Sequence, residues 1–184
     1  MSGQKTGFFL DQRENRRLLE RYAANQTVLN AFCYTGGFTV YALRGGAAWV
    51  HSVDISQVSL ELAHENATRN FPNAEAAFTA ADCLEYLKNL DRSYTLIVLD
   101  PPAFVKHRGA LKGGIKGYES INFHALRQMP AGGILFTFSC SQFVDRTLFR
   151  DTITKAALHA GRQVRILHEL RQAPCHPVSL YHPE

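Results

Sequence analysis

Three acids stand where apolar, strand-like runs give out. Asp54 closes Ala48–Asp54, Asp82 follows Glu75–Ala80, and Asp100 ends Tyr94–Asp100, in which Leu96-Ile-Val-Leu99 runs without alternation. An unbroken apolar run is the pattern of a strand covered on both faces. Pro101-Pro102 prevents a helix from following directly, which leaves Asp100 at the carboxyl end of a central strand, where open α/β sheets hold their ligands. A further run, Ile134–Ser141, carries a thiol, Cys140, to the same kind of position. Carboxylates there can accept hydrogen bonds from hydroxyls and amines or pass a proton, and a thiol can attack an electron-poor carbon. Each also has a plainer reading, with Asp54 and Asp82 as helix caps and Cys140 as a small buried residue.

The elements needed to position these groups are legible in order. Polar residues from Asp11 open a helix with Leu18, Leu19 and Tyr22 on one face, expected to lie on the sheet as a lid. Thr27–Phe32 reads as the first strand, Cys33-Tyr-Thr-Gly-Gly-Phe38 as a turn, and Thr39–Arg44 as a helix closed by Gly45-Gly46. Strand, glycine turn and helix together point backbone N–H groups at an anionic ligand. The turn lacks the G-x-G-x-x-G spacing, which argues against a dinucleotide. An acid about 20 residues beyond such a turn, here Asp54, is placed to hold the two hydroxyls of a ribose. Helices follow over Ser56–Asn70, Leu84–Leu90, Tyr118–Met129 and Asp145–Ala160, and Gln163–Glu169 alternates like an edge strand. Six strand–helix alternations predict a doubly wound, three-layer α/β sandwich with a mostly parallel sheet. Val105–Gly117, rich in Gly and basic residues, reads as a long mobile loop whose Lys106, Lys112 and Lys116 would grip phosphate, with a merely solvated loop as the alternative.

With 184 residues and 46% apolar content the chain is expected to form one domain over 1–184. A net charge of +4 is compatible with a phosphate-bearing partner such as RNA. No apolar run is long enough for a bilayer and the amino terminus lacks a signal-peptide core, so a cytoplasmic, membrane-free protein is expected. The four cysteines are scattered without a C-x-x-C pair, which indicates neither a metal site nor a disulfide framework.

Lys5-Thr-Gly-Phe-Phe-Leu-Asp-Gln-Arg13, Asn30-Ala-Phe-Cys-Tyr-Thr-Gly-Gly-Phe38, Val53-Asp54, Asp100-Pro-Pro-Ala-Phe104 and Ser139-Cys-Ser141 together resemble the catalytic domain of the S-adenosylmethionine-dependent cytosine-5 methyltransferases of large-subunit ribosomal RNA. The likeness covers nearly the whole chain and implies a Rossmann-like methyltransferase sheet. It implies that Phe32, Tyr34, Thr35 and Gly36 surround the methionine end of the cofactor, that Asp54 holds the ribose and that Asp82 meets the adenine. Ile55, Cys83 and Asp100 belong to the same cofactor-binding set, and Gln12 and Arg13 would reach the methionine carboxylate. Cys140 would attack carbon-6 of cytosine while Asp100 bonds the ring near N3. Pro101 and Pro102 would form the floor under a flipped base, with Phe104 stacking on it.

Two departures stand out. A related group carries a second cysteine after the Asp-Pro pair, where Pro102 and Ala103 stand here. The resemblance also leads one to expect a small RNA-binding domain before Lys5 and a seventh strand after Glu184, lying between the fifth and sixth. The sheet is therefore expected to be incomplete, as in a catalytic domain excised from a longer chain, with weak RNA affinity of its own. Two other functions compete: guanine or amino-group methylation of nucleic acid without a thiol, and a non-catalytic RNA-binding module on the same fold.

Overall fold

The computed structural model describes residues 9–90, 92–177 and Tyr181. Lys5–Phe8 of the leading motif therefore lie outside the described residues, as do parts of the closing segment. Five strands, β1 (Thr27–Ala31), β2 (Trp49–Asp54), β3 (Ala76–Ala80), β4 (Leu96–Leu99) and β5 (Ile134–Thr137), form one parallel sheet in the order β3-β2-β1-β4-β5. Chain order reverses between β1 and β4, which creates the crevice where such sheets bind ligands.

The unbroken apolar run of β4 has the predicted cause. All four of its residues are buried, and they alternate between two cores. Leu96 and Val98 join a cluster with Leu19, Phe38, Ala42 and Ala67, beneath α1 (Arg13–Tyr22), α2 (Gly37–Arg44) and α3 (Gln57–Asn70). Ile97 and Leu99 join Leu87, Tyr118, Ile121 and Ala125 on the opposite face, with the short α4 (Cys83–Tyr86) and the long α5 (Leu111–Gln128). Helix α6 (Arg146–His159) packs on α5 and adds Phe149 to that core.

Several boundaries differ from expectation. Asp11 lies in a 3-10 turn over Leu10–Gln12 and does not cap α1, which starts from Gln12 without a side-chain cap. Strand β5 stops at Thr137, with one further ladder bond from Phe138 N–H to the Leu99 carbonyl at 2.9 Å, so Cys140 sits in a loop beyond the strand.

The expected loop over Val105–Gly117 is mostly helix: a 3-10 turn at Arg108–Ala110 leads straight into α5. Glycine costs a helix interior roughly 1 kcal/mol relative to alanine. Here tertiary packing overrides that cost, because α5 closes onto the turn that follows Asp100. A Cβ on Gly114 would stand 2.3 Å from Val105 Cγ2, and one on Gly117 would stand 3.0 Å from Phe104 Cδ2. The glycines give close approach, not mobility, and exposed Lys112 and Lys116 lie one turn apart on a rigid helix.

Gln163–Glu169 forms no strand and is exposed throughout. Alternation supplies an apolar face, but a strand also needs a neighbour for its N–H and carbonyl groups. The resemblance puts another strand between this segment and β5, and none of the described residues fills that place. The segment instead crosses toward α1, where His168 Nε2 meets Tyr22 OH at 2.7 Å and Ala173 N–H donates to the Asp11 carbonyl at 2.9 Å. Among the described residues no helix is long and apolar enough to cross a membrane.

Candidate active site

The ladder register builds the mouth of the crevice. Ala31 pairs with Val53 on one side and with Leu99 on the other, so Phe32, Asp54 and Asp100 form the next row, at the carboxyl ends of three adjacent strands. Neighbouring strands lie about 4.8 Å apart, so the row spans roughly 10 Å, the scale of a nucleoside.

The turn after β1 is shaped by three left-handed residues, Phe32 (φ 59°), Tyr34 (φ 48°) and Gly36 (φ 77°). Asp54 holds it: the carboxylate accepts from Tyr34 N–H at 2.9 Å and from Ser56 N–H at 2.9 Å. Asn66 Nδ2 donates to the Thr35 carbonyl at 3.0 Å. Gly36 must be glycine twice over, by its positive φ and because a Cβ would stand 2.9 Å from that of Ala63. Below it, Asn30 Nδ2 donates to Thr39 Oγ1 at 2.9 Å, and that oxygen lies 2.7 Å from Ser52 Oγ. This buried polar set ties the start of α2 to β1 and β2.

Asp82 does cap α4, accepting from Leu84 N–H at 2.7 Å, yet remains exposed at the mouth. Ile55 is 75% exposed beside Asp54. Cys83 is buried, as a lone cysteine is by default. Its sulfur is buried, accepts from Phe32 N–H at 3.2 Å and donates to the Val53 carbonyl at 3.4 Å, and burial pushes the thiol up to about 12. It supports the turn from beneath and does not project into the mouth.

Asp100 lies under the lid. Gln12 Nε2 donates to Asp100 Oδ1 at 3.2 Å, and Asn15 Nδ2 donates to Gln12 Oε1 at 2.7 Å. Arg13 points the other way and pairs with Glu14 at 3.0 Å near solvent. The inward guanidinium is Arg16, 5% exposed, lying 5.6 Å from the Phe38 ring centre and close enough to Asp100 to favour its ionised form. Helical spacing carries the signal that separates the two arginines: Gln12, Asn15, Arg16 and Leu19 recur at three- and four-residue steps, whereas Arg13 and Arg17 fall on the outer face.

Burial outweighs Arg16 and raises the Asp100 carboxyl to about 6. An unfolded aspartate ionises near 4, so between pH ~4 and ~6 the folded chain holds a proton that the unfolded chain has lost, and stability falls as pH rises. Asp100→Asn removes this dependence. Its stability relative to the parent is expected to rise by up to about 3 kcal/mol from pH 4 to pH 7 in urea unfolding, and no pH-dependent gap would contradict the raised value.

Cys140 is exposed at the same mouth, its Sγ donating weakly to the Pro101 carbonyl at 3.6 Å. Burial of the sulfur, then the nearby Asp100 charge, raises its thiol pKa. Pro101 is buried and Pro102 exposed. The Phe104 ring is already packed, 4.7 Å from that of Tyr118 and 6.4 Å from that of Phe32. Exposed Lys106 precedes the 3-10 turn, apart from Lys112 and Lys116. Among the described residues no group of three or more His, Cys, Asp or Glu could hold a metal.

A parallel sheet with flanking helices, a glycine turn and two acids at its switch point, and a thiol in the loop beyond β5 form a Rossmann-like methyltransferase fold. The chain belongs to the S-adenosylmethionine-dependent methyltransferase family, whose profile matches residues 2–174. It is 46% identical to ribosomal RNA large subunit methyltransferase I of Tolumonas auensis, over 99% of this chain and 47% of that protein. It is 44% identical to the Escherichia coli protein of the same name, with the same coverage. The chain thus spans about half the length of the curated relatives it matches. The crystal structure of SMU.776 complexed with SAH superposes with a TM-score of 0.82 at 27% identity, over 94% of this chain and 46% of that one.

Proposed function

We propose that this chain transfers the methyl group of S-adenosylmethionine to carbon-5 of a cytosine in large-subunit ribosomal RNA, with Cys140 as nucleophile. The observation that carries the reading is the Cys140 thiol beside the Asp100-Pro-Pro turn, 3.6 Å from the Pro101 carbonyl and within the field of a carboxyl raised to about 6. The large-subunit RNA methyltransferase relatives support the substrate class.

The residues present fit the cofactor. Each Asp54 oxygen accepts one backbone N–H, which leaves lone pairs on both for the ribose hydroxyls. Asp82 and Ile55 face the adenine end, while Phe32, Tyr34, Thr35 and Gly36 form the turn at the methionine end. Gln12 and Arg16, rather than Arg13, receive the carboxylate, because Arg16 is the inward guanidinium of the lid. The bound cofactor supplies an electrophilic methyl group, and the chain's own residues must make carbon-5 able to attack it.

Carbon-5 of cytosine is a weak nucleophile. As Cys140 thiolate forms a bond to carbon-6, Asp100 gives a proton at N3 and electron density builds on carbon-5. A carboxyl titrating near 6 is suited to this, since it can hold a proton and release it near neutral pH. After methylation, a base takes the carbon-5 proton, the carbon-5–carbon-6 double bond re-forms, the sulfur leaves as thiolate and the N3 proton returns to Asp100. Pro101-Pro102 holds the turn rigid under the base, and Lys106, Lys112 and Lys116 offer charge to the RNA backbone.

Incubating the full chain and S-adenosylmethionine with RNA containing carbon-5-fluorinated cytosine tests this. Fluorine cannot leave as a proton, so a denaturant-resistant protein–RNA adduct is expected, with its mass assigned to Cys140 by peptide mapping. Methylation of ordinary RNA without any adduct on the fluorinated substrate would overturn the covalent route in favour of direct attack by a guanine or amino group.

A further inference from the structure

The loop that bears Cys140 lies past the last ladder bond of β5, so the sheet alone does not fix the thiol. Its neighbour Ser141 does something the sheet cannot. Ser141 is 5% exposed, and its Oγ accepts from Val105 N–H at 3.1 Å and lies 2.8 Å from Tyr118 OH. Val105 belongs to the turn after Asp100, and Tyr118, fully buried in α5, rests its ring on Phe104 of that turn. One serine oxygen therefore joins the thiol loop, the acid turn and α5.

We infer that the Tyr118–Ser141 hydroxyl pair is a positioning device for the covalent step, holding Cys140 in register with Asp100 beyond the end of the β4–β5 ladder. The inference rests on Cys140 being the nucleophile. A serine hydroxyl has one proton and two lone pairs, so it can serve the Val105 N–H and the Tyr118 hydroxyl together. Removing the Tyr118 oxygen leaves the ring and its packing in place but unties α5 from the thiol loop. Attack by sulfur needs near-contact alignment with carbon-6, and misplacement by about 1 Å costs on the order of 100-fold in rate.

The test compares Tyr118→Phe, Ser141→Ala, the double variant and Cys140→Ala in the full chain. It reads RNA methylation kinetics, S-adenosylmethionine affinity and the rate of adduct formation with carbon-5-fluorinated RNA. Both single variants are expected to lose about 10- to 100-fold in kcat and in adduct rate. Their KM for RNA and Kd for the cofactor should stay within about twofold, and the double variant should be no worse than the poorer single one, because both break one joint. Unchanged kcat and adduct rate in both single variants would overturn the inference. So would a loss of cofactor affinity and thermal stability without slower adduct formation, which marks a structural role only. Full activity in Cys140→Ala would overturn the reading beneath it, whereas an inactive Cys140→Ala with a fully active Tyr118→Phe would sink only the positioning role.

Discussion

Cys140→Ala is expected to lower RNA methylation by at least ~10³-fold while S-adenosylmethionine still binds. The size of the loss follows from chemistry: without a covalent bond at carbon-6, carbon-5 lacks the electron density to displace the methyl group. The sparing of the cofactor follows from place. Cys140 stands beyond β5, whereas the glycine turn and Asp54, proposed to hold the nucleoside, follow β1 and end β2. Measurement of methyl incorporation alongside calorimetric cofactor affinity checks both parts. Wild-type incorporation in the variant would contradict the nucleophile. Asp100 must hold its proton and Cys140 must lose its own, so with the carboxyl raised to about 6 and the thiol raised above its ordinary value the fraction in both required states levels off above pH ~6. Incorporation by the parent is therefore expected to stay nearly flat through the neutral range, which a pH–rate series checks.

Asp54→Asn should weaken S-adenosylmethionine binding by about 10- to 100-fold, since bonds to a charged acceptor are worth roughly 1.5–3 kcal/mol each and the amide keeps the shape while losing the charge. It also disturbs the turn. The carboxylate accepts from Tyr34 N–H with one oxygen and from Ser56 N–H with the other, and an asparagine must turn its own NH₂ toward one of these donors. Calorimetry on the folded variant decides the matter. An unchanged Kd would leave Asp54 as an anchor of the turn and of α3, with no part in holding a ribose.

Much of the fold around the candidate site is legible in the sequence. The apolar run Leu96–Leu99 announces a buried central strand, Pro101-Pro102 its abrupt end, and the glycine turn followed by Asp54 a set of backbone N–H groups beside an acid at the neighbouring strand mouth, because each depends on local backbone chemistry. The inward turn of Arg16 is legible in principle through the spacing of Gln12, Asn15 and Leu19, which puts the motif residue Arg13 on the outer face. The Val105–Gly117 stretch misled for a physical reason: glycines that look like loop residues in isolation are the residues that let α5 approach Phe104 and Val105. Gln163–Glu169 misled because alternation records a face, not a partner.

By itself, then, the amino-acid sequence determined the strand and helix alternation through the fifth strand, the acids at the strand ends and the presence of a thiol beyond the fifth, all consequences of periodicity and of proline and glycine stereochemistry. Only the tertiary structure decided which lid arginine turns inward, that the basic stretch is helix, and that Ser141 and Tyr118 tie the thiol loop to the acid turn. Those depend on contacts between residues far apart in the chain, such as Tyr118 with Ser141 and Gln12 with Asp100. Long-range packing chose among conformations that local preference left open.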